Sequence, residues 1–184
     1  MSQRSSAITG FWSERPGLDY VIALLAVALH IAAVRLLGGG DVLRWAELTQ
    51  RLSAYGAGAT LISVIGGLSS IAMAVYLSAA GPRVQAARRN YPDELRANWR
   101  SLLVGTGIAA TACVAAQVLD STNDVHSARF VFEGAVFLAV ARFSRLIWLF
   151  DSMLAVADKD ASEKGVKKKP APELGSSWRQ RIRN

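Results

Sequence analysis

Arg142 and Arg145 stand three residues apart in the run FLAVARFSRLIWLF, residues 137–150, which is otherwise apolar. An ionisable side chain costs about 2.5–3.5 kcal/mol at the middle of a membrane helix, so a chain that keeps one there uses it in an ion pair, a proton relay or an ion path. Three further residues belong with them by type: Glu133 on the same segment, and His30 and Arg35 in LDYVIALLAVALHIAAVRLLG, residues 18–38.

Depth along each helix sets which of these can meet. At about 1.5 Å per residue, with span midpoints at Ala28 and Ala141, Arg35 and Glu133 both fall roughly 10–12 Å towards the outside, and an interhelical ion pair is expected. On the same ruler Arg142 is level with His30, and Arg145 lies one turn nearer the cytoplasm. No acidic residue of the first three spans shares their depth, while Asp19 and Asp151 sit lower, near the cytoplasmic interface, where long arginine side chains can reach towards them or towards lipid phosphates. Two readings stay open. Either the last span starts near Ser127 and ends near Arg145, so that both arginines snorkel at the inner interface and RLIWLFDSMLAVADKD continues as an interfacial helix, or they line a polar cavity or pore favouring anions or water. His30, on an apolar face, is expected to be a hydrogen-bonded core residue.

The remaining chemistry is sparse. No Ser, His and carboxylate set shares a depth, there is no HExxH, and glycine fragments such as VGTG lack the strand that precedes a phosphate-binding loop. Two histidines and one cysteine, Cys113, lie far apart, so neither a metal site nor an intramolecular disulfide is expected, and no cofactor. The chain reads as non-enzymatic.

The elements that position these residues are membrane helices. Of the 184 residues 52% are hydrophobic, and they fall into blocks of about 20, the length that crosses a hydrocarbon core of about 30 Å. The spans are residues 18–38, 58–80, 101–119 and 130–150, the last interrupted by Glu133, Arg142 and Arg145. The first is too long for a secretory signal and should stay as an anchor. Four short spans without inverted repeats or broken helices fall below the plan of a secondary transporter.

Lys and Arg set the orientation. Fifteen lie in residues 1–17, in the loop 81–100 and in the tail after Phe150, against Arg44, Arg51 and Arg129 in the other two loops, so both termini are expected to be cytoplasmic. Tyr and Trp near the span ends agree with this.

Packing signals lie in the second and third spans. Gly66, Ser70, Ala74 and Ser78 recur at four-residue spacing, a small-residue strip that permits close backbone approach, and Gly105, Ala109 and Cys113 form a similar series. Tight pairing of these helices is expected, and a second copy of the chain would fit such a strip equally.

Between them, GPRVQAARRNYPDELRANWRS reads as a cytoplasmic helical hairpin, with Pro82 interrupting the helix and Pro92 with Asp93 and Glu94 starting the next. Its basic face of Arg83, Arg88, Arg89 and Arg96 suits anionic lipid headgroups or a cytoplasmic partner. Residues 157–184 turn to Lys, Pro, Gly and Ser and are expected to be a disordered basic tail lying on headgroups; nucleic acid is not an expected partner.

The fold expected is all-α: an integral-membrane four-helix bundle over residues 18–156, with a cytoplasmic hairpin at 81–100 and polar termini. Net charge is +7, and Ala, Arg and Gly usage suggests a GC-rich bacterial or phage genome. Two functions suit this plan. One is a cell-membrane anchor or regulatory subunit docking a partner through its basic cytoplasmic surfaces. The other is an oligomeric ion channel or membrane-depolarising protein: in size and four-span plan the chain is similar to small channel-like proteins of the phage-exclusion and holin types.

Overall fold

A computed structural model describes residues 15–40, 42–121 and 126–165. The N-terminal segment as far as residue 14 and the basic tail from residue 166 lie outside the described residues. Within them all regular structure is helical: α1 (Leu18–Leu37), α2 (Leu48–Ser78), α3 (Pro82–Asn90), α4 (Pro92–Leu119) and α5 (His126–Gly165).

The helix ends follow local chemistry. Gly38 closes α1 in the left-handed region at φ 68°, its N–H bonded to the Val34 carbonyl, a conformation that costs glycine nothing. Pro82 and Pro92 occupy the first turns of α3 and α4, where a missing N–H does no harm, and Tyr91 is the break between the two helices. Asp93 and Glu94 open α4 and Arg88 and Arg89 close α3, each with the favourable dipole sign. The interruption expected at Pro82 and the helix start expected at Pro92 are therefore present.

Three helices, α1, α2 and α4, are long and apolar enough to cross a membrane. Two boundaries differ from expectation. α2 begins at Leu48, ten residues ahead of the apolar run, because Gln50 accepts a hydrogen bond from the Glu47 N–H (3.0 Å) and Arg51 is neutralised inside the fold. α5 runs unbroken for 40 residues, about 60 Å, so it includes the first part of the expected tail. That extension has a neighbour: Val156 just before it packs in the cluster around Tyr76, Val84, Trp99 and Leu149, and Asp160 within it is buried against the start of α3.

Adjacency also departs from a bundle closed in sequence order. α4 is central, packed along both α2 and α5; α1 packs chiefly on α5, and α1 and α2 are not packed on each other. The first and fourth long apolar segments are neighbours, as a paired Arg35 and Glu133 required, but the ring is open. Small residues fill the centre: Ala109 and Cys113 of α4 are fully buried against Ala135, Leu138 and Ala139 of α5, with Ile62 of α2 beside them, and Ala116 is buried with Tyr55 and Ala128.

The strip on α2 behaves differently from the series on α4. Gly66 meets Thr106, but Ser70, Ala74 and Ser78 are exposed, and Ile62, Ser69, Ala72 and Tyr76 are the buried residues there. A strict four-residue repeat advances about 40° around the helix at each step, so by Ser78 the strip has turned about 120° away from the contact at Gly66.

Candidate functional site

Arg142 and Arg145 project from the same inward stripe of α5 as Leu138, Ala139, Leu146 and Leu149. Facing them, in the first turn of α1, is Asp19. Arg145 grips its carboxylate with two parallel bonds, Nε to Oδ2 at 2.8 Å and Nη2 to Oδ1 at 2.9 Å, the geometry in which an arginine–carboxylate pair is strongest. Arg142 Nη1 approaches the same Oδ2 at 3.0 Å. All three side chains are 0% exposed, so the pairing excludes water.

α4 completes the enclosure. Arg145 Nη1 donates to Asn98 Oδ1 (3.1 Å), and Asn98 is itself fixed by donating Nδ2 to the Glu94 carbonyl (3.0 Å). Arg142 Nη1 also donates to the Ser101 hydroxyl (2.7 Å), and its guanidinium lies over the Tyr20 ring, 4.5 Å from the centroid. Gly105 makes the room: a Cβ there would overlap that guanidinium. Both cations approach the Asp19 carboxylate, and Nε and Nη2 of Arg142 have no hydrogen-bond partner among the described residues.

Neither sequence reading of these arginines is what the structure contains. They neither snorkel outward nor stand without an acidic partner. They turn inward to Asp19, which the depth ruler set lower, near the cytoplasmic interface and within reach of a long arginine side chain. Arg142 is accordingly 11 residues of α1, about 16 Å, from the level of His30.

Glu133 does form an interhelical contact with α1, but its partner is His30, with Nδ1 at 2.6–2.7 Å from both carboxylate oxygens. Arg35 is exposed. Five residues separate His30 from Arg35, about 140° around the helix, so the two cannot both face α5. The other ring nitrogen, Nε2, reaches the Gly40 carbonyl at 2.9 Å, made possible where the chain doubles back through Gly38 and Gly40, both at positive φ. The expectation of a hydrogen-bonded histidine agrees with this arrangement.

α1 and α5 thus meet through two polar rungs, Asp19 with Arg142 and Arg145, and His30 with Glu133. At the opposite end of the bundle from Asp19 lies a third polar group that sequence reasoning counted only for orientation. Arg51 donates Nε to Asp120 Oδ2 (2.7 Å) and Nη1 to the Ala46 carbonyl (2.8 Å), while the Tyr55 hydroxyl donates to Asp120 Oδ2 (2.9 Å). Burial would raise the Asp120 pKa, but the hydrogen bonds from Arg51 and Tyr55 and the charges of Arg51 and Arg129 hold it below the ordinary carboxylate value.

The basic segment divides into two populations. Arg83, Arg89 and Arg96 are exposed, as is Arg100. Arg88 instead turns inward, over the Tyr76 ring at 4.6 Å, and its Nη2 donates to the Tyr76 carbonyl, one of the orphan carbonyls at the end of α2. The four expected arginines therefore do not form one face. Asp160, another residue without a sequence signal, accepts from the Arg83 backbone N–H at 3.2 Å and so caps α3.

Among the described residues no group of three or more His, Cys, Asp and Glu could hold a metal ion. No family model, curated protein or solved structure matches the chain.

Proposed function

We propose that this chain is a four-span bacterial inner-membrane protein without catalytic activity, a membrane anchor or regulatory subunit that docks a cytoplasmic or membrane partner through its basic segment. α5 is the fourth span. Its first 20 residues, His126 to Arg145, cover about 30 Å, the length needed to cross; in this reading the Asp19 cluster lies at the inner boundary and the Arg51–Asp120 group at the outer one. The rest of α5 stands in the cytoplasm against α3, with both termini inside.

One observation carries the reading: Arg142 and Arg145 of α5 are paired with Asp19 within the chain, whereas Arg83 and Arg89 of α3 and Arg96 and Arg100 of early α4 are exposed. A sealed cluster is a structural fixture, and an exposed basic surface is available to a partner or to anionic headgroups. The channel alternative draws its support from the polar residues of α5, and their complete burial weakens it.

Reporters fused after Tyr91 and after Asn184 should both read cytoplasmic; an outward reading of either overturns the topology. Expression should leave the membrane potential intact. Depolarisation that is lost in Arg142→Ala with Arg145→Ala would decide for the channel. Charge reversal at Arg83→Glu and Arg89→Glu should abolish recovery of a soluble partner while the chain still inserts.

A further inference from the structure

The end of α2, α3 and the first three turns of α4 enclose a groove of about 480 Å³, within the size range of small-molecule sites. Its walls are of two kinds. Arg88, Arg96 and Arg100 line one part, and Leu77, Leu103 and Val104 line the other. Those three apolar side chains are themselves exposed, and they lie within the stretches of α2 and α4 that suit hydrocarbon. The groove therefore straddles the level at which the apolar runs give way to charge.

Its floor is a stack of Arg88 on Tyr76 on Trp99, the two rings 5.8 Å apart and 27° from parallel. Trp99 is only 2% exposed, yet its Nε1 has no hydrogen-bond partner among the described residues, and neither has the buried Nε of Arg88. A buried indole N–H ordinarily finds an acceptor. The acidic neighbour Asp93 is 3.8 Å from Arg96 with both side chains largely exposed, a pairing too weak to neutralise the site.

We infer that this groove binds one anionic phospholipid, its phosphate among Arg88, Arg96 and Arg100 and the start of an acyl chain along Leu77, Leu103 and Val104. The phosphate and ester oxygens supply acceptors to a region of donors, and the chain covers apolar surface that points into lipid. A soluble anion would satisfy only the first of these. The site rests on the chain being a membrane protein and is independent of any docked partner, whose basic contacts at Arg83 and Arg89 lie outside the groove.

The test is native mass spectrometry of the full chain in zwitterionic detergent, titrated with phosphatidylglycerol or phosphatidylcholine of matched acyl chains. Phosphatidylglycerol should bind the more tightly. Arg96→Gln and Arg100→Gln should each weaken it about fivefold, the effect of about 1 kcal/mol per basic residue near a lipid surface. Both residues are exposed, so these variants fold even where Arg88→Gln does not. Trp99→Phe should weaken phosphatidylglycerol binding while keeping the ring stack, and Arg35→Gln should change nothing. Equal retention of the two lipids, or unaltered binding in the Arg96→Gln, Arg100→Gln double variant, would overturn the proposal. So would displacement of phosphatidylglycerol by an equal concentration of inorganic phosphate, which would make the groove a plain anion site.

Discussion

The backbone of Gly105 on α4 lies so close to the Arg142 guanidinium of α5 that a methyl group added there would occupy the space of Nε. The guanidinium has little freedom to retreat, since Asp19, Ser101 and the Tyr20 ring hold it. Gly105→Ala should therefore destabilise the chain by about 1–3 kcal/mol from overpacking, reduced by the roughly 1 kcal/mol that alanine gains over glycine in a helix. Gly107, two residues on, has nothing within 4 Å of an added Cβ, so Gly107→Ala should be neutral or stabilising. Unfolding in the same micelles compares the two. Equal effects would mean that Gly105 is not there for Arg142.

Asp19 lies between two fully buried cations, Arg142 and Arg145, and is paired with both. Asp19→Asn leaves both guanidinium groups facing one another, and breaking a buried pair from one side costs about 3–5 kcal/mol. Replacing the whole cluster is a different matter, because apolar residues of similar volume need no desolvation. Asp19→Leu combined with Arg142→Met and Arg145→Met should recover most of that loss. Denaturant titration of the three forms measures both effects. An Asp19→Asn variant as stable as the parent would show that water or lipid phosphate reaches the arginines after all.

The junction of α2 and α3 depends on a similar close approach. A Cβ on Gly81 would overlap the Asp160 carboxylate, which caps α3 through the Arg83 N–H. Losing such a cap costs about 1 kcal/mol, so Asp160→Ala should speed amide exchange at Arg83 about fivefold. Gly81→Ala should do the same by displacing the carboxylate. In the double variant the clash has no partner, and the effect should be no greater than that of Asp160→Ala alone. Additive losses would separate the two residues.

How much of this was legible in the sequence depends on whether the signal is local. The apolar runs of α1, α2 and α4, the interruption at Pro82 and the helix start at Pro92 are local, and they stand where the sequence puts them. The start of α2 was not, because Gln50, Arg51 and Ser53 look like loop, and what makes Arg51 tolerable is Asp120, 69 residues away. Register between α1 and α5 is equally non-local. A ruler from assumed midpoints matched Glu133 to Arg35 and Arg142 to His30, whereas packing slides the helices so that Glu133 meets His30 and Arg142 meets Asp19. Charge type identified the α5 residues that matter, but not their partners. Gly105 was legible only as a small residue in a packing series; that its neighbour is a guanidinium requires the third helix.

The Arg51–Asp120–Tyr55 group makes the chain acid-sensitive at one end. The Asp120 pKa is below its ordinary value of 3.8 in the folded protein, because the hydrogen bonds and cations around the carboxylate outweigh the cost of burial. In the unfolded chain it returns to that ordinary value. As pH falls, the unfolded state therefore takes up the proton first, and folding loses stability. The contribution is complete above pH 3.8, declines below it, and is gone once pH has fallen through the folded-state value. Asp120→Asn removes the titration and also the charge that Arg51 needs, so the variant should be less stable at neutral pH and closer to the parent in acid. Thermal unfolding of the two proteins from neutral pH downward reads this as a shrinking gap. A gap that stays constant below pH 3.8 would show that the carboxylate is not the titrating partner of Arg51.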